Sequence, residues 1–536
     1  MFTLRKAIGF SVLFVLLFLS ACGGAPAATE APASNNSNQN YELPPAATEA
    51  PAMAEPFVGQ DSASVPNLSA SGAPTQRSNN EPYDMFFQDY GVNPSIDTED
   101  DNLSTFALDV DTGSYTVMRN YLNDGNLPPA DSVRVEEYVN YFEQGYPIPP
   151  AHQAFGISMD AAPSPFTETE RYDMLRVGIQ GYQVAEEERK DAALTFVIDV
   201  SGSMDMDNRL ELVKRSLELL VEQLRRNDTV SIVVYGSNAR VVLDPTTGSD
   251  TGEILRAIRR LEPEGATNAE EGIRLGYRMA MQAYNPNGIN RVILCSDGVA
   301  NVGNTEADVI LSEVKGYVEE GITLATFGFG MDNYNDTLME QLADNGDGFY
   351  AYIDDIDEAQ RLFVDELTST LQTIAMDAKV QVDFNPAVVM RYRLVGFENR
   401  AIADDEFRDN TVDAGEIGAG HTVTALYEVK LYPEAYGRVA TVYMRWEDPD
   451  TRAITEISKD FDASEIAFDF RETDPYFQRA VVVAEFADIL KESYWAEDGS
   501  LSAVYKEAER INEYLYRDDV MDEFVDLVRE ARRIKE

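Results

Sequence analysis

The chain has few of the side chains on which many enzymes and disulfide-bonded scaffolds depend. Its 536 residues include two histidines, His152 and His421, and two cysteines, Cys22 and Cys295. Two histidines are too few for a convincing His-based catalytic triad or zinc hydrolase site. Cys295 stands inside an apolar run, so we expect it to be a small buried hydrophobic residue.

Positive charge is also scarce. Lys and Arg number 43 against 94 Asp and Glu, which gives a formal net charge of −51 that is spread along the chain. Such a surface repels nucleic acid and anionic lipid and attracts divalent cations and basic partners. We therefore exclude nucleic-acid binding. The chain also has no Gly-x-x-x-x-Gly-Lys-Ser/Thr loop, so it has no phosphate cradle of that kind.

Two motifs suggest chemistry that the rest of the sequence does not support. Asp-Thr-Gly, the tripeptide of aspartic proteases, begins at Asp111 and at Asp250. Those enzymes need two equivalent lobes, whereas Asp250 is expected to cap a helix of an α/β region. Asp109 and Asp111 also resemble the start of a calcium loop, but its twelfth position is Asn120 rather than Glu. We therefore expect no enzymatic activity; a hydrolase is the third-ranked reading, since no nucleophile with a general base can be named.

The N-terminus has the charge order of a secretory signal. Arg5 and Lys6 precede an apolar stretch that continues to Leu19, which is too short to be interpreted first as a membrane-spanning helix. The following residues, up to Cys22 and Gly23, resemble a bacterial lipobox. That resemblance implies a signal peptide over residues 1–21 and a lipid on Cys22. The mature protein would then be exported and anchored to the cell membrane or the outer membrane, facing away from the cytoplasm.

Residues 22–82 are rich in Ala, Pro, Thr, Ser and Asn, and Ala-Ala-Thr-Glu-Ala-Pro-Ala occurs twice, beginning at Ala27 and Ala46. Such a composition cannot bury enough apolar surface to fold, so we predict a disordered tether. A coil of roughly 60 residues reaches about 40–45 Å, which is enough to lift a domain away from a membrane.

The remaining chain is too long for one ordinary core, and its pattern changes three times. Residues 83–190 are predicted to be an N-terminal helical and β segment, and residues 191–372 alternate near-continuous apolar strands with helices. Residues 373–470 have the period-two pattern of an antiparallel β-sandwich, and residues 471–536 form helices. The predicted fold class is α/β, with a doubly wound, mostly parallel sheet. Strand-like runs before and after this block suggest that it is inserted in, or flanked by, the sandwich.

Oxygen-bearing side chains follow three elements of the α/β block. Asp199, Ser201 and Ser203 come directly after a predicted buried strand, Thr267 precedes a predicted helix, and Asp297 closes another strand. Loops at the carboxyl ends of neighbouring parallel strands meet in one crevice. Hydroxyl and carboxylate oxygens are ligands that a hard divalent cation prefers. The alternative, in which Asp199 caps a helix and the serines only satisfy turns, explains one loop but not the other two.

Together these five residues resemble the metal-ion-dependent adhesion site, or MIDAS, of von Willebrand factor type A (VWA) domains. The family pattern is Asp-x-Ser-x-Ser, then Thr, then Asp, and it is complete here as Asp199, Ser201, Ser203, Thr267 and Asp297. The resemblance implies a Rossmann-like sheet and a bound divalent cation, Mg²⁺ first, with Mn²⁺ or Ca²⁺ as alternatives. It also implies that a carboxylate of a partner protein completes the coordination, and that the helix ending near Leu371 responds to ligand capture.

The segments around Ser104–Tyr115 and Arg134–Phe142, and the region after Thr373, are similar to the flanking domains of bacterial lipoproteins that carry a VWA domain. The first hypothesis is therefore a lipid-anchored surface protein that binds an acidic residue of a protein partner through its metal. The alternative is an envelope scaffold or assembly factor in which the metal is mainly structural.

Overall fold

The computed structural model describes residues 82–150, 153–167, 172–298, 304–331 and 334–535, without the side chains of residues 207–208 and 304–309. These residues lie within one compact unit, Arg77–Glu536. The described residues leave out the predicted signal peptide, the predicted lipidation site Cys22 and nearly all of the predicted tether. They also leave out His152.

The described residues form both strands and helices. The strands are β1 (Met85–Phe86), β2 (Ile96–Asp97), β3 (Leu103–Ala107), β4 (Phe155–Pro163), β5 (Asp173–Gly181), β6 (Ala192–Asp199), β7 (Thr229–Tyr235), β8 (Ala239–Thr247), β9 (Ile289–Ser296), β10 (Thr323–Gly328), β11 (Tyr334–Asn335), β12 (Tyr350–Tyr352), β13 (Thr373–Phe384), β14 (Val389–Val395), β15 (Gly415–Gly418), β16 (Thr422–Leu431), β17 (Arg438–Glu447) and β18 (Ile454–Asp462). The α-helices are α1 (Gly113–Asn123), α2 (Val135–Asn140), α3 (Arg209–Glu222), α4 (Thr251–Arg259), α5 (Ala269–Ala283), α6 (Asn304–Val318), α7 (Asp336–Asp344), α8 (Ile356–Gln360), α9 (Leu367–Leu371), α10 (Pro475–Leu490), α11 (Leu501–Asn512) and α12 (Asp519–Lys535).

A six-stranded sheet in the order β12-β10-β9-β6-β7-β8 is the centre of the α/β block. All of its pairings are parallel except that of the edge strand β8 with β7. Every residue of β6 is buried, as expected for a central strand with helices on both faces. Helix α5 lies close to the sheet because two of its residues are glycine. A Cβ on Gly272 would lie 2.5 Å from the Tyr235 ring, and one on Gly276 would lie 2.2 Å from Val197 Cγ2.

Two antiparallel sheets form the second layered core, which confirms the predicted fold class. One has the order β15-β13-β17-β18, with β3 also paired to β13, and the other has the order β2-β14-β16-β5-β4. Strands β2–β5 precede the parallel sheet in the chain, while β13–β18 follow it, so the α/β block is inserted into this pair of sheets. The boundaries given to the six sequence segments stay predictions.

Helices α1, α2, α10, α11 and α12 share a third core, with Tyr138 and Phe486 among its fully buried side chains. Helix α10 is apolar almost all round, as a helix enclosed by others should be. Among the described helices, none has the length and apolar character needed to cross a bilayer.

Some sequence-based predictions were wrong in detail. The helix expected to end near Leu371 is divided into α8, a π-helical turn over Arg361–Asp365 and α9. The wider turn places Arg361 between Glu358 and Glu366, to both of which it is ion-paired. Asp250 stands at the start of α4, but its side chain accepts a hydrogen bond from Thr247 rather than capping the helix.

Candidate metal site

The first loop of the site begins where β6 ends. Asp199 is fully buried, and its Oδ1 accepts a hydrogen bond of 2.7 Å from the backbone N–H of Ser201. This turn directs Ser201 and Ser203 to the same side, so that their hydroxyl oxygens are 3.0 Å apart. Two cis ligands of an octahedral Mg²⁺ ion are also about 3.0 Å apart, since Mg–O distances are about 2.1 Å. The two hydroxyls therefore fit adjacent positions of such an ion.

The second loop follows β9, the strand next to β6. Ser296 donates a hydrogen bond of 3.1 Å from its hydroxyl to Asp199 Oδ2. Asp297 follows it and is 3% exposed. The Ser203 side chain helps to lower the pKa of Asp297, against the effect of burial, so the first loop also interacts with the second at this carboxylate. The structure therefore brings Asp199, Ser201, Ser203 and Asp297 together.

Thr267 lies in the third loop, which packs against the first. The backbone N–H of Gly202 donates to the carbonyl of Gly265 over 3.1 Å, two residues before Thr267. Gly265 has a φ of 75°, and a Cβ there would lie 2.1 Å from Ser237 Oγ, so glycine is needed for this approach. Thr267 itself is half-buried immediately before α5. Its loop packs against the loop that carries Ser201 and Ser203, and its role as a ligand, like theirs, stays a prediction.

Asn268 explains why the third loop stops at Thr267. It is the N-cap of α5, and its side-chain oxygen accepts a hydrogen bond of 3.2 Å from the backbone N–H of Glu271. Because α5 packs tightly on β6 and β7, its first residue is fixed relative to both strands. The position of Thr267 thus follows from the packing of a whole helix.

The two carboxylates of the site are destabilised in their charged forms. Burial, and secondarily the Asp297 carboxylate, raise the pKa of Asp199 to about 6. Burial also raises the pKa of Asp297, although its hydrogen bonds to Ser203 and Arg209 act in the opposite direction. A divalent cation at this place would relieve that cost, because it favours the charged form of both groups.

Sequence reasoning missed one charged residue of the site. Arg209, the first residue of α3, donates from Nη1 to Asp297 Oδ2 over 2.9 Å, and the two side chains are 3% and 4% exposed. A Cβ on Gly330 would lie 2.2 Å from Arg209 Nε, so the loop after β10 packs on the guanidinium group. No sequence pattern distinguishes an arginine at the start of a helix as part of a metal site. The contact between Arg209 and Asp297 is therefore seen only in the folded structure.

A second group of carboxylates lies elsewhere in the molecule. One carboxylate oxygen from each of Asp347, Asp413 and Glu416 lies within 4.8 Å of the other two. Burial and the neighbouring carboxylates, Asp413 foremost, raise the pKa of Asp347 to about 7. These three carboxylates are not part of the five-residue Asp-x-Ser-x-Ser, Thr and Asp motif.

The class of domain to which the α/β block belongs is shown by its match with a family model. Residues 193–365 match the model of the von Willebrand factor type A domain. Residues 81–174 match a model described as von Willebrand factor, and residues 369–534 match one described as uncharacterized protein YfbK, C-terminal. The chain therefore contains a VWA domain, a type of domain that mediates protein–protein interactions and commonly binds divalent cations.

Similar proteins include the uncharacterized protein YfbK of Escherichia coli (strain K12), which is 43% identical over 352 residues, covering 64% of this chain and 61% of that protein. The uncharacterized protein sll0103 of Synechocystis is 29% identical over 189 residues, which cover 35% of this chain and 44% of that protein. Human inter-alpha-trypsin inhibitor heavy chain H2 is 28% identical over 185 residues, which cover 33% of this chain and 18% of that protein. The chain thus spans less than two thirds of the length of these relatives. Among solved structures, a von Willebrand factor type A protein from Catenulispora acidiphila aligns at 15% identity and a TM-score of 0.42, covering 70% of this chain and 89% of that one.

Proposed function

We propose that the protein is a metal-dependent binding protein that captures an acidic side chain of a protein partner. The observation that carries this proposal is the grouping of Asp199, Ser201, Ser203 and Asp297 at the ends of two adjacent parallel strands, where hydrogen bonds join Asp199 to Ser201 and to Ser296, the residue before Asp297, and join the two motif serines to each other. Its oxygens suit Mg²⁺, with Mn²⁺ and Ca²⁺ as alternatives. Thr267 would contribute directly or through water, and a carboxylate from outside the chain would complete the coordination.

The surroundings of the cluster support access by a macromolecule. Gly202 and Ala266 are exposed on the two loops beside the hydroxyls, and Met206 is 43% exposed. Met is one of the residues that are enriched in protein interfaces. The proposed partner thus presents a carboxylate with apolar groups beside it.

The test uses a variant that removes ligands without changing charge. Calorimetry should show Mg²⁺ or Mn²⁺ binding to the wild-type protein and loss of that binding in Ser201→Ala/Ser203→Ala. A Ser464→Ala variant is the control, because Ser464 is an exposed serine of the sandwich. Equal metal binding by all three proteins would refute the proposal.

Anchoring is a separate part of the proposal. A lipid on Cys22 would hold the protein at the outer face of the cell membrane or at the outer membrane, with residues 22–82 as the tether. Incorporation of labelled fatty acid in the cell should occur in the wild type and be lost in Cys22→Ser, while Cys295→Ser keeps the label. Labelling of the Cys22→Ser protein would contradict the anchor.

A second candidate is an envelope scaffold in which the metal mainly stabilises the fold. It is favoured by the ion pairs that fix α7 of the VWA domain to the rest of the chain. Arg134 pairs with Asp336 over 2.7 Å, and Arg400 pairs with Asp344 over 2.9 Å. Thermal unfolding with Mg²⁺ and with EDTA separates the two candidates. A large metal-dependent shift in melting temperature, with carboxylate binding unaffected by EDTA, supports the scaffold.

A further inference from the structure

We infer that the partner captured at the metal site presents its carboxylate between basic side chains, because exposed carboxylates of the chain stand on the loops that form the site. This inference rests on the proposed function and describes the surface around the captured group. We call these carboxylates the acidic rim. They lie on the first loop, on the third loop and at the start of α5, and they belong to Asp205, Glu262, Glu264 and Glu271, which are all exposed.

Asp205 gives the first loop an exposed negative charge. It follows Ser203 by two positions, in the 3₁₀-helical segment Gly202–Asn208. Residues i and i+3 of such a helix lie on the same face, so Asp205 shares a face with Gly202, the exposed residue between the two motif serines. Among the described residues, no basic side chain is paired with this carboxylate. The charge of Asp205 is therefore available to a molecule that approaches the serines.

The third loop brings two more carboxylates next to the first loop. The backbone N–H of Glu264 donates to the carbonyl of Val200 over 2.5 Å, and the N–H of Gly202 donates to the carbonyl of Gly265 over 3.1 Å. These two bonds attach the third loop to the residues directly before and after the first motif serine. Glu262 lies two positions before Glu264, and no basic side chain of the described part of the chain pairs with it.

The rim continues at the start of α5. Glu271 Oε2 accepts hydrogen bonds of 3.2 Å from the backbone N–H of Ala239 and from Asn268 Nδ2. Both donors are neutral, so they hold the carboxylate in place and leave its charge. Glu271 is thus a fixed negative charge one helical turn beyond Thr267.

Positive charge that could offset the rim is scarce on these loops. Residues 200–206 and 261–271 contain no Lys or Arg. Arg240, from the neighbouring hairpin, pairs with Glu264 over 2.6 Å, and the two side chains are 53% and 50% exposed. Residues 299–303 continue the loop after β9 and fall outside the described residues; their sequence, Val-Ala-Asn-Val-Gly, adds no charge of either sign. A partner at the metal therefore meets negative charge with little positive charge beside it.

The rim determines which partners can approach the metal. Coordination requires one carboxylate of the partner, but further acidic side chains next to that carboxylate would face the acidic rim. Like charges that meet in an interface oppose binding, whereas opposite charges accelerate the encounter and fix the orientation. A segment in which one Asp or Glu stands between Lys or Arg residues satisfies both requirements. The expected ligand is therefore an acidic residue with basic neighbours rather than an acidic run.

Three peptides blocked at both ends test this inference: Lys-Gly-Asp-Gly-Lys, Gln-Gly-Asp-Gly-Gln and Lys-Gly-Asn-Gly-Lys. Calorimetry measures their binding to the protein in saturating Mg²⁺ and in EDTA. The Asn peptide reports attraction to the acidic surface without capture by the metal. The Lys-flanked Asp peptide should bind about tenfold more tightly than the Gln-flanked one in about 0.05 M salt. The preference should fall to about twofold in about 0.5 M salt, because salt screens exposed charges.

A triple variant removes the rim charges that are not ion-paired. Asp205→Asn/Glu262→Gln/Glu271→Gln should bind the two Asp peptides within about twofold of each other.

The matched control is Glu497→Gln/Asp498→Asn/Glu513→Gln, which removes three exposed carboxylates of the C-terminal helical region and should keep the tenfold preference. Because both variants change the net charge equally, a difference between them reports the position of the rim rather than the total charge.

The outcomes separate this inference from the function on which it rests. Equal binding of the two Asp peptides by the wild type, or an undiminished preference in the rim variant, would overturn the inference. Loss of the preference to the same extent in the control variant would overturn it as well. The proposed function fails instead if the Asp peptides bind no more tightly than the Asn peptide, or if EDTA leaves their binding unchanged.

Discussion

Arg119 and Asp354 form a two-point ion pair between α1 and the loop that follows β12. Arg119 Nε donates to Asp354 Oδ2 over 2.7 Å, and Nη2 donates to Oδ1 over 2.5 Å. Arg119 also contacts Glu523 of α12 over 3.2 Å, so a single guanidinium group connects the N-terminal helices, the VWA domain and the C-terminal helices. The VWA domain is therefore held within the molecule by buried charge as well as by the sandwich.

Removal of this arginine should be costly. Arg119→Ala leaves Asp354 without its partner in a place where both side chains are 5% exposed, and we expect a loss of about 3–5 kcal/mol in the free energy of unfolding. Urea denaturation of the wild type and the variant measures this difference in the free energy of unfolding. Arg533→Ala, which breaks an exposed pair with Glu530, is the control and should change the stability little. A similar result for the two variants would show that the buried pair contributes nothing special.

The close packing of α5 can be tested at its glycines. In Gly276→Ala the new Cβ meets Val197 Cγ2 at 2.2 Å, and valine is stiff at χ1. We expect a loss of about 1–3 kcal/mol from overpacking, despite the better helix propensity of alanine. Gly316→Ala in α6 meets nothing within 4 Å and should instead gain up to about 1 kcal/mol. If both variants gain stability in urea, the contact between α5 and β6 is looser than described.

The carboxylate group around Asp347 predicts how stability depends on pH. Burial and the Asp413 and Asp377 carboxylates raise the pKa of Asp347 to about 7, above its usual value of about 3.9. Between these values the folded state binds more protons than the unfolded state, so this group lowers the stability as the pH rises from about 4 to about 7, and the loss is complete above the folded-state pKa. Asp347→Asn should therefore raise the melting temperature at pH 8 and have a smaller effect at pH 5.

Asparagine is a suitable replacement, because Asp347 has a φ of 45° and Asn tolerates the left-handed region. Asp498→Asn, at an exposed position in a turn, is the matched control and should show no such difference between the two pH values. An effect of Asp347→Asn that is equal at pH 5 and pH 8 would contradict the raised pKa.

The thiol of Cys295 should be inert in the folded protein. It is 1% exposed in β9, as the sequence predicted, and burial raises its pKa far above the usual value. A Cys22→Ser protein should therefore react with a maleimide reagent only after denaturation. Rapid labelling under native conditions would show that β9 opens.

Much of the fold follows from local patterns. The uninterrupted apolar run of β6 predicted a central strand, and the period-two alternation after Thr373 predicted an antiparallel pair of sheets. The short strand β12 was missed, because three residues carry too little periodicity. The π-helical turn over Arg361–Asp365 was missed for another reason: a helical repeat predicts a continuous helix and gives no signal for a single wider turn.

The candidate site also contains residues that the sequence could identify and one that it could not. Asp199, Ser201, Ser203 and Asp297 could be chosen from sequence because each stands at the end of a recognisable strand or in the loop that follows it, and parallel strands bring such loops together. Arg209 could not be chosen, because its contact with Asp297 spans 88 positions and depends on how α3 and the loop after β10 meet.

The sequence by itself predicted the alternation of strands and helices, an α/β block inserted in or flanked by a sandwich, and the candidate oxygen ligands at its loops, because these follow from short-range periodicity and from residue type. The tertiary structure alone decided the ion pair that Asp297 makes at the site and the attachment of the VWA domain to its neighbours. Both depend on single arginines, Arg209 and Arg119, whose partners lie far away in the chain. An ion pair of that kind is defined by the meeting of distant surfaces, and its strength by how completely the fold removes them from water.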